Sequence, residues 1–172
     1  WFVIYPLGGT FSYEPVREKY KGTKWVLHNL IDAVAKGGNF MAGIGPDGSG
    51  RFHPEAIAQL RQTGSWLKIN GEGIYATRAR EGDLWKQGDQ IRYTRSKDNK
   101  VIYAFCFEWP GEQLILQTVK PGRRAKISLM GDDRALAWKH DSSRGLVIEL
   151  PAALRENLSQ TAQIAYGFKI EI

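Results

Sequence analysis

Gly37-Gly38-Asn39-Phe40-Met41-Ala42-Gly43-Ile44-Gly45-Pro46-Asp47-Gly48-Ser49-Gly50 reads as a strand that rises out of a glycine pair and runs into a glycine-rich loop. His53-Pro54-Glu55 then opens a helical pattern, with Pro54 suited to the first helical position. Ile57, Leu60 and Leu67 continue that pattern into Asn70-Gly71-Glu72-Gly73-Ile74-Tyr75. Upstream, Phe2–Tyr5 is a short strand stopped by Pro6 and Gly8-Gly9. Residues 10–22 read as a loop, and Thr23 as a helix cap. Val26, Leu27, Leu30, Ile31 and Val34 recur at helical spacing until Gly37 supplies a left-handed stop. Strand, helix, strand, helix predicts a parallel α/β arrangement. Asn39–Gly45 is apolar throughout rather than alternating, the pattern of a parallel strand buried on both faces. Loops at the C-terminal ends of such strands build active sites in α/β enzymes.

The pattern changes after about Ala76. Gln90–Arg95, Lys100–Phe107, Gln113–Val119, Ala125–Met130, Leu146–Leu150 and Gln163–Ile172 read as strands. Short turns such as Lys97-Asp98-Asn99, Pro110-Gly111-Glu112 and Asp141-Ser142-Ser143 separate them. Closely spaced strands with turn signals predict an antiparallel sandwich. The chain thus divides into an α/β part, residues 1–78, and a β part, residues 79–172.

At 172 residues, 42% hydrophobic and 12% aromatic, the chain can bury a sizeable core. No apolar run is long enough to cross a membrane. There is no initiator methionine and no signal pattern at Trp1, so the expectation is a chain that begins mid-protein. Cys106, the only cysteine, sits in the apolar run 101–107 and reads as a small buried residue. Asn157-Leu158-Ser159 is a formal glycosylation sequon. The net charge is +6 and the pI about 9.5, which raises nucleic-acid binding as a question. The cations are scattered, however. The tightest group, Arg123-Arg124-Ala125-Lys126, follows a Pro-Gly turn and reads as solvated surface, so no nucleic-acid partner is expected.

Gly43-x-Gly45-x-x-Gly48 matches a phosphate-binding pattern in letters only. Pro46 removes a backbone N–H, Asp47 adds negative charge, and the helix begins only near Pro54, too late to cradle a pyrophosphate. His28, His53 and His140 show no metal-ligand spacing. No Ser-His-Asp arrangement can be argued from them either. The carboxyl groups of the α/β part are Glu14, Glu18, Asp32, Asp47, Glu55 and Glu72. Asp32, Glu55 and Glu72 lie in or beside helices and have structural readings. Asp47 and Glu14 lie in loops on the side where an active site is expected.

Gly-Gly-Asn at 37–39, Ile-Gly-Pro-Asp-Gly-Ser-Gly at 44–50, Gly64-Ser65-Trp66-Leu67 and Asn70-Gly71-Glu72-Gly73-Ile74-Tyr75, in that order, strongly resemble the α-L-fucosidases of glycoside hydrolase family 29. Phe11-Ser12-Tyr13 is similar to that family's Ser-Trp/Phe-Gly-Tyr segment. The motifs run from Trp1 to about Arg78, with a β-rich tail after them. The resemblance implies the last two βα units of a (β/α)₈-like barrel followed by an antiparallel β-sandwich. It implies a part of a retaining glycosidase acting on terminal α-L-fucosyl linkages of glycans, without cofactor or metal. It also implies a secreted, periplasmic or lysosomal-type compartment. Family members use an aspartate nucleophile on an earlier strand, which would precede Trp1. No catalytic residue is therefore expected here, the isolated chain should be inactive, and the N-terminal part of the barrel becomes a required partner. Trp1-Phe2 stands where many relatives have Trp-Glu, and Met41-Ala42-Gly43 where Leu-Leu-Asn is common; both are departures. Phe11 is expected to line the fucose pocket, with Trp1 and Tyr13 as further sugar-contacting candidates. The competing reading is a non-catalytic carbohydrate-binding or structural β-sandwich module with a vestigial α/β arm.

Overall fold

The computed structural model describes residues 1–132, 134–156, 158 and 162–172. Strand β1 (Phe2–Pro6) leads through a long loop to helix α1 (Thr23–Ala35). Strand β2 (Asn39–Gly43) and helix α2 (Pro54–Asn70) follow. β1 and β2 pair in parallel, Phe2 opposite Asn39 and Pro6 opposite Gly43. Paired residues share a face. Tyr5 and Phe40 point toward α1, where their rings and that of Trp25 lie 5.9–6.3 Å apart, centroid to centroid. Phe2, Ile4, Asn39 and Met41 lie on the opposite face and are exposed. Helices cover one face of β1 and β2 only, and the apolar residues of the other are bare.

Helix ends follow local chemistry. The Gly38 N–H donates to the Ala33 carbonyl (2.8 Å), and the Gly37 N–H, at φ +80°, to that of Val34 (2.9 Å). Both bonds close the last turn of α1 as the glycine pair predicts. At the other end the cap is Gly22, not Thr23. The Thr23 hydroxyl instead bonds Gln62 and the Gln59 carbonyl on α2, because the helices lie side by side. His53 caps α2: its Nδ1 accepts from the Glu55 N–H at 3.1 Å, with Pro54 next in line.

The remaining chain forms two antiparallel sheets. β3 (Arg78–Ala79), β5 (Ile91–Arg95), β6 (Val101–Cys106), β11 (Tyr166–Glu171) and β8 (Ile127–Leu129) lie in that order, and β4 (Lys86–Gln87) also pairs with β5. β7 (Gln113–Leu116), β10 (Gly145–Glu149) and β9 (Trp138–Asp141) form the second sheet. Helix α3 (Ala152–Glu156) follows β10. All these pairings are antiparallel, as the turn spacing predicts. Most of these strands are shorter than read from sequence, and β3, β4 and β9 were not expected. Of the sequon, Asn157 and Ser159 lie outside the described residues.

One core fills the space between the sheets, built from Tyr93, Ala104, Cys106, Leu114, Leu116, Leu146, Ile148 and Phe168 among others. A second lies on the other side of the large sheet, where Tyr103 and Phe105 of β6 meet Leu27, Ile31 and Trp66 of the helices. β6 is thus buried on both faces, which explains its unbroken apolar run. Burial pushes the Cys106 thiol up to about 12, so it is inert packing. The two parts of the chain are joined by this second core and by polar ties. The Trp66 indole N–H donates to the Ala165 carbonyl (2.9 Å), and Thr94 donates to the Gly73 carbonyl (2.7 Å). Arg92 of β5 pairs with Asp32 of α1 at 2.6 Å. Glu72 accepts from Tyr103 (2.8 Å) and Lys169 (2.6 Å). Gly73 lies so close to Phe105 and Tyr103 that a Cβ there would overlap the Phe105 ring edge. The Asn70-Gly71-Glu72-Gly73 motif is therefore a weld between helix and sandwich.

Candidate functional site at the C-terminal ends of the parallel strands

Two loops leave the C-terminal ends of β1 and β2 and lock onto each other. The Leu7 N–H donates to the Gly43 carbonyl (2.8 Å), which extends the strand pairing by one residue. The Phe11 ring lies against Gly43: a Cβ there would sit 2.8 Å from Phe11 Cδ1. The backbone of Ser12-Tyr13 presses on Gly45 so closely that only glycine fits. Tyr20 stacks on His53 (5.1 Å, 23°), and Tyr13 lies 6.4 Å from the same imidazole. Arg17 closes the arrangement with a 3.0 Å ion pair to Glu55 at the start of α2. The glycines at 43 and 45 are thus explained by close approach, not by phosphate binding.

The loop carboxylates are committed to architecture. Glu14 is only 7% exposed; its Oε1 accepts from the Val16 N–H at 3.1 Å, and its stem packs on Gly8. Its backbone carbonyl also accepts from the Tyr20 hydroxyl (2.9 Å). Asp47 Oδ1 accepts from the Ser49 N–H (2.8 Å), the Ser49 hydroxyl (2.7 Å) and the Arg51 N–H (2.9 Å). Those bonds, led by the Ser49 hydroxyl, hold the Asp47 carboxyl below the usual range. They also consume the amides that a phosphate cradle would need. Asp32, Glu55 and Glu72 are held by Arg92 and Lys36, by Arg17 and Gln59, and by Lys169 and Tyr103. Glu18 stands exposed on the 3₁₀ turn Arg17–Lys19.

Of the three expected sugar-contacting residues, the structure brings two together. Phe11 (58% exposed) and Tyr13 stand on one loop at the rim formed by the paired loops. Trp1 lies elsewhere. Its indole packs over Gly38, at the start of β2, whereas Phe11 sits at Gly43, where β2 ends. Five residues of strand, roughly 16 Å at ~3.3 Å each, separate the two ends. Trp1 and Phe11 therefore stand at opposite ends of β2.

A parallel βα pair that feeds aromatic loops, backed by an antiparallel sandwich, is an architecture shared with solved glycosidases. The structure of Thermotoga maritima alpha-fucosidase in complex with fucose superimposes with a TM-score of 0.83 at 26% identity, covering 99% of this chain and 39% of that one. Residues 1–72 match the family model described as alpha-L-fucosidase, and residues 86–171 that of the alpha-L-fucosidase C-terminal domain. The chain belongs to the α-L-fucosidase family. It is 32% identical over 128 residues to plasma alpha-L-fucosidase of Rattus norvegicus, covering 73% of this chain and 28% of that protein. It is 31% identical over 149 residues to an alpha-L-fucosidase of Branchiostoma floridae, covering 86% of this chain and 33% of that one. The chain therefore spans about a third or less of the curated relatives it matches.

Proposed function

We propose that this chain acts as the C-terminal part of a retaining α-L-fucosidase that hydrolyses terminal α-L-fucosyl linkages of glycans. Residues 1–78 would contribute the last two βα units of the catalytic barrel, and residues 79–172 the sandwich that buttresses them. The observation that carries this reading is the seat of Phe11: an exposed ring fixed on Gly43 at the C-terminal ends of two parallel strands. An aromatic face there complements the C–H groups and the methyl of fucose, and Tyr13 can offer its hydroxyl to the sugar. The carboxylates Glu14 and Asp47 of the two loops are tied to backbone and side-chain partners of their own turns, which supports a nucleophile supplied by the N-terminal part of the barrel. The bare face of β1 and β2 supports the same partner, since Phe2, Ile4 and Met41 would become barrel interior.

The reading is tested by fucose binding to the chain joined with the N-terminal barrel segment of the same enzyme. Saturation-transfer NMR should show contact to the fucose methyl, and Phe11→Ala should weaken binding about tenfold, the loss expected for an aromatic contact worth about 1.4 kcal/mol. Undiminished binding in Phe11→Ala would remove this residue from the site.

A further inference from the structure

A sizeable cavity lies on the sandwich and shares no lining residue with the Phe11 loop. A cleft of about 850 Å³ opens between the β6–β7 turn, the β10–α3 junction and Gln163. That volume is within the usual range for small-ligand sites. We propose that this cleft is a second saccharide site, one that takes a neutral oligosaccharide.

Its apolar wall is Trp109. Tyr166 crosses that ring nearly at right angles (5.0 Å, 72°), which fixes the indole while leaving it only partly buried. Trp66 and Trp138 spend their indole N–H groups on the carbonyls of Ala165 and Ala125. Among the described residues the Trp109 N–H has no such acceptor. A fixed aromatic that carries an N–H donor suits a sugar ring, which brings a C–H face and hydroxyls together.

The polar wall is built for hydroxyl groups. Glu112, Glu149, Glu156, Arg155 and Gln163 line the cleft. Glu149 already accepts from the Gln113 amide (3.0 and 3.1 Å), which holds its carboxylate in place. Carboxylates accept from sugar hydroxyls, whereas guanidinium and amide N–H groups donate to them. Three carboxylates against one guanidinium give the cleft negative charge on a chain whose net charge is +6. Sulfated or uronic-acid sugars are therefore disfavoured. A bound cation is not indicated: among the described residues no three acidic, histidine or cysteine groups converge closely enough to hold a metal ion. The inference stands apart from the fucose reading, because the cleft shares no residue with the Phe11 rim.

The test uses the ¹⁵N-labelled 172-residue chain with lactose, which carries no fucose and so leaves the Phe11 site silent. The Trp109 indole N–H resonance should shift saturably, and the other five indoles should not follow it. By calorimetry, Trp109→Ala should weaken lactose binding about tenfold, the loss expected for one stacked ring. Glu112→Gln with Glu156→Gln, both on exposed side chains that leave packing intact, should weaken it as well. Phe11→Ala should leave it unchanged. The proposal is overturned if lactose and cellobiose give no saturable shift, or if the double Gln variant binds as the parent does. A heparin disaccharide or an arginine peptide binding in place of the neutral sugars would overturn it too.

Discussion

Trp66→Ala should strip out the strongest single tie between the helices and the sandwich. The side chain, on α2, is 0% exposed and packs against α1 and β6, with its ring 5.8 Å from Phe105. An indole buries ~200 Å² of largely apolar surface, which at ~25 cal/mol per Å² is worth about 5 kcal/mol. Large aromatic-to-alanine changes in cores cost about 3–5 kcal/mol. Loss of the indole N–H also leaves the Ala165 carbonyl without its donor, which adds about 1 kcal/mol. A domain has only about 5–15 kcal/mol in total, so Trp66→Ala should consume a large share of it. Trp66→Phe keeps most of the ring and should lose about 1–3 kcal/mol, mainly the hydrogen bond and part of the volume. The assay is urea unfolding followed by far-ultraviolet circular dichroism, with amide exchange read separately on α1, α2 and β6. Both regions should lose protection together. A cost below ~1 kcal/mol for Trp66→Ala, with the helices and the sheet exchanging independently, would refute the shared core.

Gly45→Ala should displace the Phe11–Tyr13 loop, because the new methyl collides with the Ser12-Tyr13 backbone rather than with a movable side chain. The expected cost is about 1–3 kcal/mol, with weaker binding at the Phe11 rim, measured by thermal melting and fucose titration; an unchanged melt would show that the loops are not locked. Asp32 gives a pH signature. Burial raises its pKa, but hydrogen bonds from Lys36 and Arg92 outweigh that and leave it below the ordinary value. The unfolded state then holds more protons, so the contribution of Asp32 is complete above the ordinary carboxylate pKa and is lost as pH falls through the folded one. Asp32→Asn should accordingly be destabilised at neutral pH, and its melting temperature should fall less steeply than the parent's between about pH 5 and about pH 3. Parallel curves for the two proteins would show that the Asp32–Arg92 pair contributes nothing.

What the sequence disclosed, it disclosed through periodicity and punctuation. Val26, Leu27 and Ile31 place α1, Gly37-Gly38 ends it, and His53-Pro54 starts α2; each signal lies within one turn of the element that it marks. The short turns likewise give most of the sandwich strands. β9 (Trp138–Asp141) was missed because Trp-Lys-His-Asp offers no apolar alternation: it lies at a sheet edge and buries little. α3 is too short to show a helical period. Sheet order was not legible either, since β11 inserts between β6 and β8 and its partners lie far away along the chain. The same distance hides the site chemistry. Phe11 could be named from its motif, but its seat on Gly43 required the fold. Glu14 and Asp47 looked free as loop carboxylates until their backbone partners were seen. The Trp109 cleft gathers three separated segments, none of which carries a motif.

The most direct test of the central claim is hydrolysis of 4-nitrophenyl α-L-fucoside by the pure 172-residue chain, and by the same chain joined to the N-terminal barrel segment. The account predicts no turnover by the chain alone and turnover on joining, lowered by Phe11→Ala. Turnover by the chain alone, abolished by Asp47→Asn or Glu14→Gln, would contradict it.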